Sequence, residues 1–181
     1  MKRIADELKE RNIAEYLIYM WQVEDLIRAN NCDMGMMDKN VVSKFDVDDA
    51  ERQEIFSWYE NLTEMMTREG VKEKGHLQIN KNLLMELSEL HVNLLSSTKF
   101  PYYQASYYKA LPFIVELRAK SKDNDVSEIE TCFDGLYGIL LMRLQKKEIT
   151  QQTTNAMTAI SSFISMLANF YDKDRKNELD W

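Results

Sequence analysis

IAEYLIYMWQVEDLIRANN, residues Ile13 to Asn31, is the stretch around which the rest of the chain must pack. From Tyr16 to Trp21 every residue is apolar or aromatic. A helix apolar nearly all round needs other helices to enclose it. Ile13, Tyr16, Met20, Val23 and Ile27 recur at alternating spacings of three and four residues, the signature of a buried helical ridge. Polar residues gather beyond it: Gln22, Glu24, Asp25 and Arg28. On the helical wheel Glu24 flanks the ridge instead of opposing it, and Arg28, four residues on, can pair with it in the favourable order. Two readings follow: a structural ion pair at the edge of a core, or a polar binding site inside a bundle.

The rest of the chain fits a helical surround. Its 181 residues, 45% of them hydrophobic, suffice for one domain with its own core. Only five Gly and two Pro punctuate it, and no run alternates as a strand would. A net charge of −7 argues against duplex nucleic acid as a partner, because phosphate neutralisation drives most of that affinity, and suits a soluble protein. Cys32 and Cys132 form no metal-type spacing. The N-terminal MKRIADELKERN is charged throughout and reads as no signal peptide, so a reducing cytoplasm is the expected compartment. Residues 149–171 carry no charge and are long enough to span a bilayer. Nearly half of them are Thr, Ser, Gln or Asn, however, so the reading is an amphipathic helix and no membrane partner.

The expected architecture is an all-α single-domain bundle of about six principal helices with no sheet. Residues 1–171 form the domain, and the mixed-charge tail, 172–181, is expected to be disordered. The first helix runs from near Arg3 to Asn30 or Asn31. A long Met-rich connection, 32–47, packs on the bundle with a short helix around Met37–Ser43. Asp48 caps the second helix, Asp49–Glu69, with Ile55, Tyr59, Leu62 and Met66 inward and Gly70 as the stop. The third starts between Leu77 and Lys81, with Asn80 as its cap and Leu84, Leu87, His91 and Leu94 on one ridge. Pro101 opens the fourth, and Pro112 is expected to kink or break it at Lys109–Pro112, leaving the Tyr108 carbonyl without its helical donor. After a solvent loop, Lys120–Val126, Ser127 caps the fifth helix. Its ridge is Ile129, Phe133, Leu136, Leu140 and Leu144, and Gly135 and Gly138 permit a close neighbour. Thr150 caps the sixth, with Ala156, Ile160, Phe163, Leu167 and Phe170 inward.

No complete catalytic motif is present. A carboxylate di-metal site needs Glu-x-x-His from two helices, and the chain has two histidines in all. Glu73 precedes His76 at that spacing, but with Gly75 between them in a loop; Ser88 precedes His91. Glu86 and Glu89, or Glu51 and Glu54, give half of the Glu-x-x-Glu…Glu-x-x-Asp pattern of helical pyrophosphohydrolases, without the second half. No phosphate loop, dinucleotide turn or nucleophile elbow occurs. A Cys132–His91 pair lacks any local signature. Hence no catalytic residue, metal or cofactor is assigned. Glu24, Arg28, His91, Tyr103, Tyr107 and Tyr108 are the candidate ligand-binding residues, and the tyrosines and His91 read equally as hydrogen-bonded core.

A different signal lies on the last helix. Thr154, Thr158, Ser161 and Ser165 make a face without charge, where exposed helix faces usually carry Lys, Glu or Arg. Small uncharged residues let a second helix approach closely, and charge depletion marks interface cores. A homodimer is one use of this face; cover by the first helix or by the Met-rich connection is the other.

The strings AEYLIYMWQVEDLIRAN (14–30), GVKEKGHLQINKN (70–82), KFPYYQA (99–105), ALPFIVELRAKS (110–121) and ETCFDGLYG (130–138) resemble an all-helical bacterial family catalogued only as a domain of unknown function. The resemblance implies a compact helical fold and a bacterial cytoplasm. It implies no activity and no catalytic residues. Three functions therefore stand open: an interaction module that binds itself or a protein partner, a small-molecule-binding bundle, and an enzyme built on Glu24, Arg28, His91 and tyrosines. Convergence of these residues on an open cavity favours the second or third. Dispersal or mutual satisfaction favours the first.

Overall fold

Asn12 divides the first helical stretch in two. Its backbone is extended (φ −157°, ψ 102°), and its side-chain oxygen accepts from the N–H groups of Ala14 and Glu15. Such an N-cap satisfies two donors that a helix start leaves open. Helices α1 (Lys2–Arg11) and α2 (Ile13–Ala29) result. The expected single helix from Arg3 is corrected accordingly: the cap at Asn12 starts a new helix there.

The computed structural model describes residues 1–120 and 126–181. Further along lie α3 (Met34–Asn40), a single 3-10 turn (Val42–Lys44), α4 (Asp49–Arg68), α5 (Gln78–Ser96), α6 (Pro101–Lys120), α7 (Glu128–Leu144) and α8 (Gln151–Arg175). Among the described residues there are thus eight α-helices and no strand. The all-α class holds; the count of six does not, because Asn12 splits one helix and the Met-rich connection forms α3. Residues 121–125 of the expected solvent loop lie outside the described residues.

The caps read from sequence recur in the fold. Asp48, Ser127 and Thr150 accept from the backbone N–H groups of Glu51, Glu130 and Thr153, each three residues on. Asn80 is an exception. It lies inside α5, fully buried, and its amide is used elsewhere. The backbone N–H of Gln78 is instead taken by the Glu69 carboxylate at 2.7 Å.

The chain divides into two compact units, Met1–Asn82 and Leu83–Trp181. In the first, α1 packs on α2, and both pack on α4, which also carries α3. Its core is the expected one: Ile13, Tyr16, Met20, Trp21, Val23 and Ile27 of α2 are buried, together with Ile55, Tyr59, Leu62 and Met66 of α4. In the second, α6, α7 and α8 pack pairwise. The link between α7 and α8 is so short that the two must run in opposite directions.

Pro112 does not break α6, which is helical from Pro101 to Lys120. Proline removes one N–H, and the surrounding turns stay anchored by the buried Tyr103, Tyr107, Ala110 and Ile114. Gly135 does permit close packing: a Cβ there would stand 2.9 Å from Leu117 Cδ1 of α6 and 3.5 Å from Met157 Cε of α8. Gly138 faces open space. The expected α7 ridge is buried only at its start. Ile129 and Phe133 are enclosed, Leu136 and Leu140 are half-buried, and Leu144 is 65% exposed, while Cys132, Tyr137 and Ile139 fill the core instead. The charged stretch also begins as helix, since α8 runs on to Arg175.

Candidate functional site

Polar residues collect in two places, one in each unit. The first is built on α2 and the turn between α4 and α5. The chain leaves α4 through Gly70 and approaches α5 through Gly75, both in the left-handed region (φ 70° and 86°) where glycine is tolerated without strain. Arg28 holds that turn. Its guanidinium donates to the Val71 carbonyl at 3.1 and 3.3 Å and to the Gly75 carbonyl, and pairs with Asp25 at 2.8 Å.

Glu24 stands beneath the turn with no exposed surface. One carboxylate oxygen lies 2.6 Å from His76 Nδ1. The other accepts from the Leu77 backbone N–H at 3.0 Å and from Asn80 Nδ2 at 2.7 Å. Arg28 approaches the carboxylate only to 3.9 Å, so the expected pair is the weakest of these contacts. The donors converge because a buried charge is tolerated only when its lone pairs are occupied. With a carboxylate oxygen as its partner, His76 Nδ1 is the donor of this contact and Nε2 points away from Glu24. The imidazole lies flat on Trp21, with centroids 4.0 Å apart and planes 10° from parallel, and stays partly open to solvent. Asn80 Oδ1, also buried, has no donor among the described residues.

The second cluster is aromatic. His91 Nδ1 meets the Tyr103 hydroxyl at 2.6 Å. Its ring is edge-on to Tyr107 and Phe163, at 4.9 and 5.4 Å. The Tyr107 hydroxyl donates to Glu128 at 2.8 Å, and Arg118 lies 3.8 Å from that carboxylate. Burial lowers the His91 pKa, against a smaller upward pull from Glu128. Burial pushes the Tyr103 hydroxyl well up. Both shifts favour the uncharged forms, a hydroxyl that keeps its proton beside a neutral imidazole. Burial, helped by Glu128, also pushes the Cys132 thiol up, the opposite of an activated nucleophile. Tyr108 lies outside this cluster's core and is 63% exposed, its ring 5.4 Å from that of Tyr107.

The six candidate residues are thus distributed between two clusters. Glu24 and Arg28 belong to the first unit; His91, Tyr103, Tyr107 and Tyr108 belong to the second. Among the described residues no group of three or more His, Cys, Asp and Glu could hold a metal ion. His76 is the member that sequence reasoning set aside. Its partner is 52 residues away, and no local spacing reports such a contact. The one available signal was coarser: all members of the Glu24 cluster fall in two of the strings that carry the family resemblance.

The α8 face has its own geometry. Thr158, Ser161 and Ser165 are exposed and Thr154 is half-buried. The hydroxyls of Thr154, Thr158 and Ser162 donate back to the carbonyls of Thr150, Thr154 and Thr158, at 2.8–3.1 Å. Donors satisfied within the helix demand nothing of a covering surface. Beside this face, between α7 and α8, runs an open groove of about 280 Å³ lined by Leu136, Ile139, Leu140 and Met157, with Arg143 as its one charged residue.

The family described as Domain of unknown function (DUF4924) matches residues 2–178, nearly the whole chain, and the chain belongs to it. No curated protein and no solved structure matches the chain. No described helix is long and apolar enough to cross a membrane.

Proposed function

We propose that this member of the family is a non-enzymatic interaction module that pairs with a second copy of itself through the outer face of α7 and α8. The observation that carries the reading is the exposed, charge-free surface of Thr158, Ser161 and Ser165 beside the half-buried Leu136 and Leu140. A net charge of −7 makes two copies repel at long range, so a contact between them belongs where charge is absent. The Thr158 hydroxyl, bonded back to the Thr154 carbonyl, lowers the cost of drying this face. A two-fold arrangement would place the leucine ridge of α7 in one copy against the small residues of α8 in the other. The polar clusters support the same reading from the opposite side: the Glu24 oxygens are engaged from within the protein, and His91 is buried against Tyr103.

Sedimentation velocity from low to high micromolar concentration tests the proposal. The wild type should sediment as a dimer in the upper range, and Thr158→Lys with Ser165→Lys should sediment as a folded monomer.

A small-molecule site is the second reading, and His76 is what favours it. Its Nδ1 is fixed by a buried carboxylate while the ring remains partly accessible, an arrangement that orients Nε2 toward a ligand or a transferable proton. Native mass spectrometry of freshly purified protein would reveal a retained small molecule. Retention that survives His76→Gln would count against this site.

A further inference from the structure

The end of the chain folds back on the second unit. α8 stops at Lys176, and Asn177 turns in the left-handed region (φ 54°) while the Glu178 N–H bonds the Lys173 carbonyl at 2.9 Å. Residues 180 and 181 then meet the start of α6. The Trp181 indole is edge-on to Phe100 at 5.5 Å, and Phe100 in turn is edge-on to Phe170 at 5.2 Å. Lys99 Nζ binds the Asp180 carboxylate at 3.3 Å and also the Trp181 backbone oxygen. The indole N–H donates to Asp174 at 3.3 Å. Trp181 also lines an open groove of about 280 Å³ with Asn93, Ser96 and Ser97 at the end of α5.

We infer that this corner, Lys99 and Phe100 beside the end of α5, is a binding site for a peptide segment that carries an aromatic residue next to a carboxylate. The chain's own residues 177–181 are its displaceable occupant. The recognition elements come as a pair: a cation and a ring adjacent in sequence meet a carboxylate and a ring adjacent in sequence. That is how a short linear segment is read, with a charge contact setting register and an aromatic anchor beside it. The hold is also weak. Trp181 is 46% exposed and the Asp180 side chain 98% exposed, and an ion pair so open to solvent contributes little. A structural element of the core would be enclosed; this one is seated on the surface. A tether of a few residues raises the local concentration of the tail enough for weak contacts to keep the corner covered. The groove along Asn93, Ser96 and Ser97 leaves room for a competing segment to extend past the indole.

The test uses a fluorescently labelled peptide of sequence NELDW, residues 177–181, titrated by anisotropy into the full-length chain. Trp181→Ala empties the corner and should bind the peptide at least about tenfold more tightly than the wild type, whose tethered tail competes. Replacing the peptide's Trp by Ala should abolish binding, and adding Lys99→Glu to Trp181→Ala should weaken it severalfold through repulsion of the peptide's carboxylates. All substitutions lie at the surface, and circular dichroism checks the fold. Equal binding to wild type and Trp181→Ala, no binding to Trp181→Ala, or binding indifferent to Lys99→Glu would each overturn the inference.

Discussion

The Glu24 cluster and the outer face of α8 are both polar, and they handle polarity in opposite ways. Around Glu24 the polar groups point inward and bind across elements: α2 supplies the acceptor, and the turn and α5 supply the donors. On α8 the Thr158 and Ser162 hydroxyls lie at the surface and bind their own helix. The first arrangement spends polar chemistry on holding a turn in place. The second removes polar demand from a surface, which makes that surface inexpensive to cover. Polarity in the sequence therefore does not by itself mark a site; what matters is whether its hydrogen bonds are still available.

The contrast can be broken most severely at Glu24. Glu24→Ala strips the acceptor from Leu77 N–H, Asn80 and His76 at once, and should destabilise the protein by about 3–5 kcal/mol in chemical denaturation. Glu24→Gln keeps the size and loses the charge; about 1.5–3 kcal/mol is expected. Amide exchange should accelerate in the turn that Arg28 clasps. Thr158→Lys, on the other face, should leave denaturation midpoints nearly unchanged at concentrations too low for two copies to pair, as exposed substitutions usually do.

His91 sharpens the comparison by pH. Its folded pKa lies below the unfolded value of about 6.5, because burial disfavours the imidazolium. Below that value the unfolded chain binds a proton that the folded chain refuses, so stability is full above about pH 6.5 and falls as the pH drops toward the folded pKa. His91→Gln retains a hydrogen-bonding side chain for Tyr103 and should flatten this part of the stability–pH curve. A wild-type curve that His91→Gln reproduces between pH 5 and 7 would refute the neutral, buried histidine.

A smaller loss than at Glu24 is expected at Asn12. Asn12→Ala removes the side-chain acceptor that starts α2 and should cost about 1 kcal/mol, with fraying confined to the first turn of α2 and the helix before it. A loss much larger would mean that α1 is integral to the first unit's core.

Much of the fold was legible because burial on helices is periodic. The α2 and α4 ridges could be read from spacing alone, and so could the caps at Asp48, Ser127 and Thr150. What escaped was not periodic. Asn12 ends one helix and starts the next through its side-chain cap, which apolar spacing does not report. Pro112 is tolerated because packing anchors the turns around it, a tertiary effect that outweighs local preference. Leu144 sits on a perfect ridge and is nevertheless exposed, since its helix outruns the surface it packs on. The Glu24 cluster was half legible: α2 announced an acidic residue beside its ridge, but the partner it found was His76 in a distant turn, with Arg28 at its margin. The contacts of the tail were illegible for a related reason. Its composition promised little to bury, and a single indole resting on Phe100 leaves no pattern.

Everything proposed for α8 rests on one question, whether two copies meet on the charge-free face. Sedimentation velocity of the wild type and of Thr158→Lys with Ser165→Lys, each across a hundredfold concentration range at about physiological salt, answers it. The account predicts a concentration-dependent dimer for the wild type and a monomer of unchanged helicity for the variant. A wild type that stays monomeric at high micromolar concentration, or a variant that dimerises as well as the wild type, would contradict it.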